Sequence, residues 1–129
     1  KQISLHLEAP DSLIVMGDSQ RLSQLLYILL DNAIKYTLNN GEVCLFLSRE
    51  GNELCIMVRD TGIGMKEEDQ IHIFERFYRV DKSRTRQMGG HGLGLSIAKW
   101  IVETHNGTIY IASEVGKGTE FTIRIPLNP

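Results

Sequence analysis

Two glycine-rich turns constrain the fold of this 129-residue chain more than any other feature of its sequence. The first, Asp60-Thr-Gly-Ile-Gly64, ends a run of alternating apolar and polar residues, and the second, Gly89-Gly-His-Gly-Leu-Gly94, opens a helical pattern. Glycine lets the backbone approach a ligand closely, and the start of a helix offers free N–H groups and a favourable dipole to an anion. The two turns together predict one nucleotide pocket, with the base near Asp60 and the phosphates near the second turn.

The composition predicts a single domain large enough to bury a core. Hydrophobic residues make up 42% of the chain and the formal net charge is −2, which disfavours a general nucleic-acid or anionic-membrane surface. No apolar stretch approaches the roughly 20 residues that span a bilayer, and no signal peptide opens the sequence. Cys44 and Cys55 lack metal-site spacing and are expected to be buried, reduced thiols. Because the sequence begins with Lys1, we expect a fragment of a longer protein.

Hydrophobic periodicity predicts an α/β sandwich, in which a mixed, mostly antiparallel sheet carries about three helices on one face. The alternation of Leu5 and Leu7 with polar residues predicts a half-buried first strand, and a helix is expected from Asp18 or Ser19 to about Thr37. Further strands are expected near 42–49, 53–60, 108–114 and 119–126, a short helix near 66–74, and a helix near 93–105 whose core stripe is Leu93, Ile97, Trp100 and Ile101.

One face of the first predicted helix carries candidate ligands. Asn32, Lys35 and Tyr36 offer an amide oxygen for a hard cation, an ammonium for phosphate and a ring that stacks on a base. The alternative is that Asn32 is simply a polar residue at the rim of the core.

Asp60 also has two interpretations. Asp-x-Gly is common in turns, and the turn itself needs only Gly62 and Gly64. An ionised carboxylate, however, only accepts hydrogen bonds, and the exocyclic amine of adenine donates them where guanine has a carbonyl. The second interpretation predicts that Asp60 selects ATP over GTP.

The segment before the second glycine turn is polar, rich in glycine and rich in cations, and this composition predicts a mobile lid. Its cations are either a solvated surface or phosphate ligands. Arg79 is the first candidate because it follows a predicted Phe74/Phe77 anchor, and Lys82 and Arg84 come after it. A dinucleotide-binding loop is disfavoured, because that motif follows directly on a buried strand.

In order and spacing, five blocks resemble the catalytic and ATP-binding domain of sensor histidine kinases. This domain belongs to the Bergerat-fold superfamily, together with DNA gyrase B, a heat-shock chaperone and the mismatch-repair ATPases. The blocks are an N box at Asn32–Thr37, a glycine box at Asp60–Gly64, a phenylalanine box at Phe74–Arg79, a second glycine box at Gly90–Leu95 and a closing segment at Gly116–Phe121. Each block alone is weak evidence, but the ordered set is specific and covers nearly the whole chain.

The resemblance implies that residues 1–129 form one catalytic domain of a protein-histidine kinase, which presents Mg-ATP to a His on a separate dimerisation helix. By resemblance, Asn32 is the Mg²⁺ ligand. The position of Arg79 and Arg84 in the cationic loop, and the ammonium that Lys35 offers to phosphate, predict that these three residues assist transfer. The predicted nucleotide-binding set consists of Asn32, Lys35, Tyr36, Asp60, Gly62, Gly64, Phe74, Phe77, Arg79, Lys82, Gly90, His91, Gly92, Leu93, Gly94, Leu95 and Thr119. His91 in this set departs from the family, in which small residues are common at that position.

The resemblance also implies partners and a location. The phosphoacceptor domain is expected to be absent from this chain, because no histidine in it stands in a Ser-His-Glu context. The partners would be the protein's own dimerisation and phosphoacceptor domain and a downstream response regulator, with no nucleic acid and no direct membrane contact. This part would be a monomer, cytoplasmic, in a homodimeric, membrane-anchored bacterial protein.

Position 28 departs from the family pattern. Relatives that hydrolyse ATP or phosphorylate serine have Glu one helical turn before the N-box Asn, where it acts as general base, and most histidine kinases have Asn there as a second Mg²⁺ ligand. This chain has Ile28, which takes no proton and binds no metal. Two alternatives therefore stay open beside the kinase: a nucleotide-binding module with weakened catalysis, and a hydrolytic ATPase.

Overall fold

The computed structural model describes residues 2–10, 17–78 and 94–127. The elements along the described chain are β1 (Ile3–Glu8), α1 (Ser19–Tyr36), β2 (Gly41–Glu50), β3 (Glu53–Asp60), α2 (Glu67–Gln70), α3 (Gly94–Thr104), β4 (Thr108–Glu114) and β5 (Gly118–Pro126). The five strands form one sheet in the order β1-β2-β3-β5-β4, in which β1 and β2 are parallel and the other neighbours are antiparallel. The prediction of a mixed, mostly antiparallel sheet with helices is confirmed.

Capping side chains fix both ends of α1. The Asp18 carboxylate accepts hydrogen bonds from the backbone N–H groups of Gln20 and Arg21, at 3.0 and 3.1 Å, as expected of an N-cap. At the other end, the buried Thr37 hydroxyl donates to the Ala33 carbonyl at 2.6 Å, and the backbone beyond is extended. The helix therefore ends at Tyr36, whose carbonyl accepts a hydrogen bond from the Ile63 N–H of the first glycine turn.

The core lies between the sheet and one face of the two longer helices. Buried residues of α1 and α3 recur every three or four positions, which places them on single faces that meet the apolar side of β2, β3 and β5. The buried helical residues are Leu25, Leu29, Ala33, Ala98, Ile101 and Val102.

Two packing predictions are wrong. Trp100 was expected in the core stripe of α3 but is 50% exposed, because Ala98, Ile101 and Val102 form the buried face and the Trp100 ring lies under the Arg21 guanidinium at the surface. Leu5 and Leu7 were expected to be half-buried but are exposed. Both lie on β1, which is an edge strand, while α1 and α3 cover the inner strands of the sheet.

Smaller differences concern the short helix and the cysteines. The helix predicted near 66–74 is confined to Glu67–Gln70 and continues as turns. Both cysteines are free, as expected, but only Cys55 is buried, and burial raises the pKa of its thiol. Within the described residues, no helix is long and apolar enough to cross a membrane.

Candidate nucleotide-binding site

Asp60 ends β3 and points to the helical side of the sheet. It pairs across the strands with Thr119 of β5, which pairs in turn with Ser113 of β4. The carboxylate is only 5% exposed, and its Oδ1 atom accepts hydrogen bonds from the backbone N–H groups of Gly62 and Thr119, at 2.8 and 3.2 Å. No donor among the described residues reaches Oδ2, so this oxygen is available to a ligand.

Burial determines the electrostatics of this carboxylate. Desolvation raises the pKa of Asp60, and the hydrogen bonds from Gly62 and Thr119 oppose that shift only in part. A ligand that donates a hydrogen bond to Oδ2 would therefore stabilise a charge that the protein leaves incompletely compensated.

The first glycine turn is clamped between the end of α1 and the β4–β5 turn. The Ile63 N–H donates to the Tyr36 carbonyl at 3.2 Å, and the Ile63 carbonyl accepts from the Gly116 N–H at 2.8 Å. A Cβ atom on Gly62 would lie 2.2 Å from the Tyr36 carbonyl oxygen. One on Gly64, where φ is +69°, would lie 2.0 Å from the Glu114 carbonyl oxygen. Both positions require glycine because backbone passes so close.

Polar side chains that the sequence did not single out brace the same turn. The Ser113 hydroxyl accepts from the Met65 N–H at 2.8 Å and lies 2.8 Å from the Thr119 hydroxyl. The Gln70 amide donates to the carbonyls of Met65 and Ser113, at 3.0 Å each. Only the cross-strand register identifies Ser113 as a neighbour of Thr119, and that register is not visible in the sequence.

The N-box face of α1 meets the start of α3. A Cβ atom on Gly94 would lie 3.4 Å from Ile28 Cγ2, so Ile28 faces the end of the second glycine box and also packs against the core. Asn32 lies one helical turn later on the same face, is half-buried, and has no hydrogen-bond partner among the described residues. Lys35 Nζ lies 3.0 Å from an Asp31 carboxylate oxygen, an ion pair at the surface. The structure thus brings together the N box and the last glycine of the second glycine box.

The phenylalanine box is only half anchored. Phe74 packs edge-on against Phe121, with ring centroids 6.1 Å apart, and the Lys99 ammonium lies 5.6 Å from its ring. Phe77 is 65% exposed and has a φ of +65°, so the predicted Phe74/Phe77 anchor is wrong for Phe77. Phe77 thus combines a left-handed backbone with an exposed ring, which the sequence pattern did not indicate.

The remaining predicted ligands fall outside the described residues. These are the lid segment and Arg79, Lys82, Arg84, Gly90, His91, Gly92 and Leu93. Gly94 and Leu95 lie at the start of α3. In residues 2–10, 17–78 and 94–127, no cluster of three or more His, Cys, Asp or Glu side chains forms a metal site, and the assignment of Asn32 to Mg²⁺ stays a prediction.

Comparison with known proteins places this geometry in a family. Residues 17–129 match the model of the histidine kinase-, DNA gyrase B-, and HSP90-like ATPases. The chain is 48% identical over 113 residues to the sensor protein CiaH of Streptococcus pneumoniae serotype 4, and this match covers 88% of the chain and 26% of CiaH. The solved catalytic domain of histidine kinase ThkA, in a nucleotide-free form, is 29% identical with a TM-score of 0.84 and is matched over 98% of this chain and 82% of its own.

A second solved structure is full-length histidine kinase ShkA in complex with AMPPNP. It is 30% identical with a TM-score of 0.78, and the match covers 97% of this chain and 25% of ShkA. The chain therefore spans about a quarter of the length of CiaH and of ShkA. On the family model and on these identities, the chain belongs to the histidine kinase-, DNA gyrase B-, and HSP90-like ATPase family.

Proposed function

We propose that the chain is the ATP-binding catalytic domain of a sensor histidine kinase, one domain over residues 1–129, which presents Mg-ATP to a His on a separate dimerisation helix. The observation that carries the proposal is the buried Asp60 carboxylate, whose Oδ2 faces no described donor beside a turn closed by Gly62 and Gly64. The match to ShkA, solved with AMPPNP, supports it.

In this proposal, the base lies at Asp60 and Thr119, with Tyr36 beside it. The phosphates lie at the start of α3, where Gly94 and Leu95 continue the second glycine box and the helix dipole favours negative charge. The remaining proposed ligands follow from the sequence analysis, namely Lys35, Phe74, Phe77, Arg79, Lys82, Arg84, Gly90, His91, Gly92 and Leu93.

Asn32 fits the role of a single protein ligand to Mg²⁺. Its amide has no partner among the described residues, and it lies on the α1 face that meets Gly94. Mg²⁺ prefers oxygen ligands and retains several waters, so one amide oxygen together with phosphate oxygens is an adequate set. When bound, the ion would neutralise phosphate charge during transfer.

The residue facing Gly94 favours transfer to histidine over hydrolysis. Ile28 occupies the position one turn before Asn32 and cannot activate a water as general base. A neutral imidazole has its own lone pair and needs no such base. The longer protein would then supply the phosphoacceptor domain, pass the phosphoryl group to a response regulator, and be a membrane-anchored homodimer with this domain in the cytoplasm.

Two measurements test the proposal. Calorimetry on the chain should show ATP binding at micromolar to millimolar strength, with weaker binding of GTP and negligible turnover. The full-length protein, supplied with labelled ATP, should acquire acid-labile, base-stable phosphate, and the same protein with Asp60→Asn should not. ATP binding without any protein phosphate would indicate a binding module instead, and sustained phosphate release by the chain alone would indicate a hydrolytic ATPase.

A further inference from the structure

The Ser113 hydroxyl is the centre of three short polar contacts beside Asp60. Its Oγ lies 2.8 Å from the Met65 backbone nitrogen, 2.9 Å from the Gly118 carbonyl oxygen and 2.8 Å from the Thr119 hydroxyl oxygen. The side chains of Ser113, Thr119 and Asp60 lie next to each other on one face of β4, β5 and β3. Whatever fixes the Thr119 hydroxyl therefore acts beside the Asp60 carboxylate.

Only one arrangement of protons satisfies all three contacts. A serine hydroxyl has one proton and two lone pairs, a backbone N–H only donates, and a carbonyl oxygen only accepts. If the Ser113 proton were on the Thr119 contact, the oxygens of Ser113 and Gly118 would face each other at 2.9 Å with no proton between them. If Ser113 donates to Gly118, it accepts from both Met65 N–H and Thr119 O–H.

We propose that Ser113 is a positioning residue that holds the Thr119 hydroxyl proton and so leaves Thr119 as a pure acceptor toward the base. This inference rests on the proposed function, because it assumes a purine beside Asp60. The pocket edge then presents only acceptors, the Asp60 carboxylate and the Thr119 lone pairs. The amino group of a 6-amino purine can donate hydrogen bonds to these acceptors. The carbonyl oxygen of a 6-oxo purine is itself an acceptor, so it cannot bond to them and the nucleotide is rejected.

Gln70 provides a matched control within the same network. Its amide donates to the carbonyls of Met65 and Ser113 at 3.0 Å each, so it braces the same strand and turn without touching either hydroxyl. Gln70→Ala removes the two hydrogen bonds that join the first glycine turn to β4, but it leaves the hydrogen bonds of the Ser113 and Thr119 hydroxyls unchanged. A purely structural effect of Ser113 would be reproduced by this variant.

The test is calorimetry with ATP and with inosine triphosphate, which has a 6-oxo group in place of the amine and no 2-amino group. In Ser113→Ala, the Thr119 proton is free to donate to the 6-oxo group, so the preference for ATP over inosine triphosphate should fall roughly three- to tenfold, the range of one neutral hydrogen bond. The preference should stay unchanged in Gln70→Ala. In a Thr119→Val background, Ser113→Ala should have no further effect on it.

The outcomes separate this inference from the proposed function. If Ser113→Ala weakens the binding of both nucleotides equally, or changes the preference by the same factor in the Thr119→Val background, the proposed role of Ser113 is overturned. The proposed function, ATP binding by the wild-type chain, is not affected by either result. A wild-type chain that binds neither nucleotide overturns both proposals. If Ser113→Ala does not fold, neutron diffraction on deuterium-exchanged wild-type crystals decides: a Thr119 deuteron directed at Ser113 supports the inference, and one directed at the pocket overturns it.

Discussion

At the scale of single residues, the protein keeps a carboxylate where burial disfavours its charge. Asp60 is almost fully buried, its pKa is raised, and the two N–H bonds that it accepts both go to Oδ1. A turn needs no such group, since Gly62 and Gly64 alone allow the backbone path. Because Oδ2 accepts no hydrogen bond from the described residues, this carboxylate fits a role in ligand binding better than a role in stability.

Asp60→Asn should separate binding from stability. Because burial raises the pKa of Asp60 in the folded chain, this carboxyl favours the folded state at low pH, and that contribution is lost as the pH rises through the folded-state pKa. Asn keeps the acceptor for the N–H groups of Gly62 and Thr119 without the buried charge. At neutral pH, we expect the variant to unfold at or above the wild-type temperature, and its advantage should grow from acid to neutral pH.

The same variant should lose at least tenfold in ATP affinity, since a charge-assisted hydrogen bond is worth about 1.5–3 kcal/mol. Thermal scans across pH and calorimetry measure the two effects. Asp18→Asn is the matched control. It makes the same substitution at the start of α1, the end opposite Tyr36 and the first glycine turn, and Asn caps a helix as well as Asp does. A large loss of stability in Asp60→Asn, with unchanged ATP affinity, would contradict the assignment.

Gly64→Ala tests the close backbone approach at the first glycine turn. Gly64 and Gly51 both have positive φ, +69° and +61°, but only Gly64 has a carbonyl oxygen at the position of a new methyl group. Gly51→Ala should cost about 1–2 kcal/mol for the backbone conformation alone. Gly64→Ala should cost a further 1–3 kcal/mol or so because of overpacking. Urea unfolding measures the free energy of unfolding of the two variants. If both lost the same free energy, the backbone of the first glycine turn would be able to move away from the new methyl group at no additional cost.

At the scale of elements, the sequence predicted most strands and helices because their periodicity and caps are local. Asp18 and Thr37 bound α1 as expected. Which face of a helix is buried, and which residues of different strands become neighbours, depends on tertiary packing. Trp100 and Ala98 both fit a helical stripe, but the crossing of α3 over the sheet buried the smaller residue. Ser113 entered the site only through the β4–β5 register, which no local pattern of the sequence encodes.

Ile28→Asn tests whether the N-box face of α1 meets the metal. Ile28 faces Gly94, one turn before Asn32, so an amide at position 28 should add a second oxygen ligand and lower the Mg²⁺ concentration required for ATP binding several-fold. The loss of packing against the core should cost about 1–3 kcal/mol of stability. ATP binding titrated against Mg²⁺ measures the effect.

The control for this change is Ile34→Asn, which makes the same substitution at an exposed position elsewhere on α1. We expect it to leave the metal requirement at its wild-type value. If Ile28→Asn behaves in the same way while circular dichroism shows an intact fold, position 28 does not face the ion and the proposed metal assignment loses its geometric support.

In the whole molecule, one end of the helical layer forms part of the proposed site, and the other end holds α1 and α3 together. At one end, α3 begins at Gly94 beside Ile28, within the proposed site. At the other, His105 follows the last turn of α3 and bridges to α1: Nδ1 lies 2.8 Å from the Ile101 carbonyl oxygen, and Nε2 accepts from the Asp18 N–H at 3.2 Å. One nitrogen donating and one accepting describes a neutral imidazole. The sequence indicated only a last-turn histidine, because the contact with Asp18 is long-range.

His105→Ala should therefore weaken the fold without weakening the site. The variant loses both imidazole hydrogen bonds and leaves the Asp18 N–H without its partner, which should cost about 1–3 kcal/mol. ATP affinity should stay within about twofold of wild type, because α3 separates His105 from Gly94 by 11 residues, or roughly 16 Å. His72→Ala is the control. The His72 imidazole is exposed, pairs with Glu75 and lies beside the Tyr78 ring, so its loss should cost little. Thermal unfolding measures the stability of both variants, and calorimetry measures their ATP affinity. If ATP affinity in His105→Ala fell as far as stability does, the prediction would be wrong. The contact between His105 and Asp18 would then be coupled, through α3, to the proposed phosphate site.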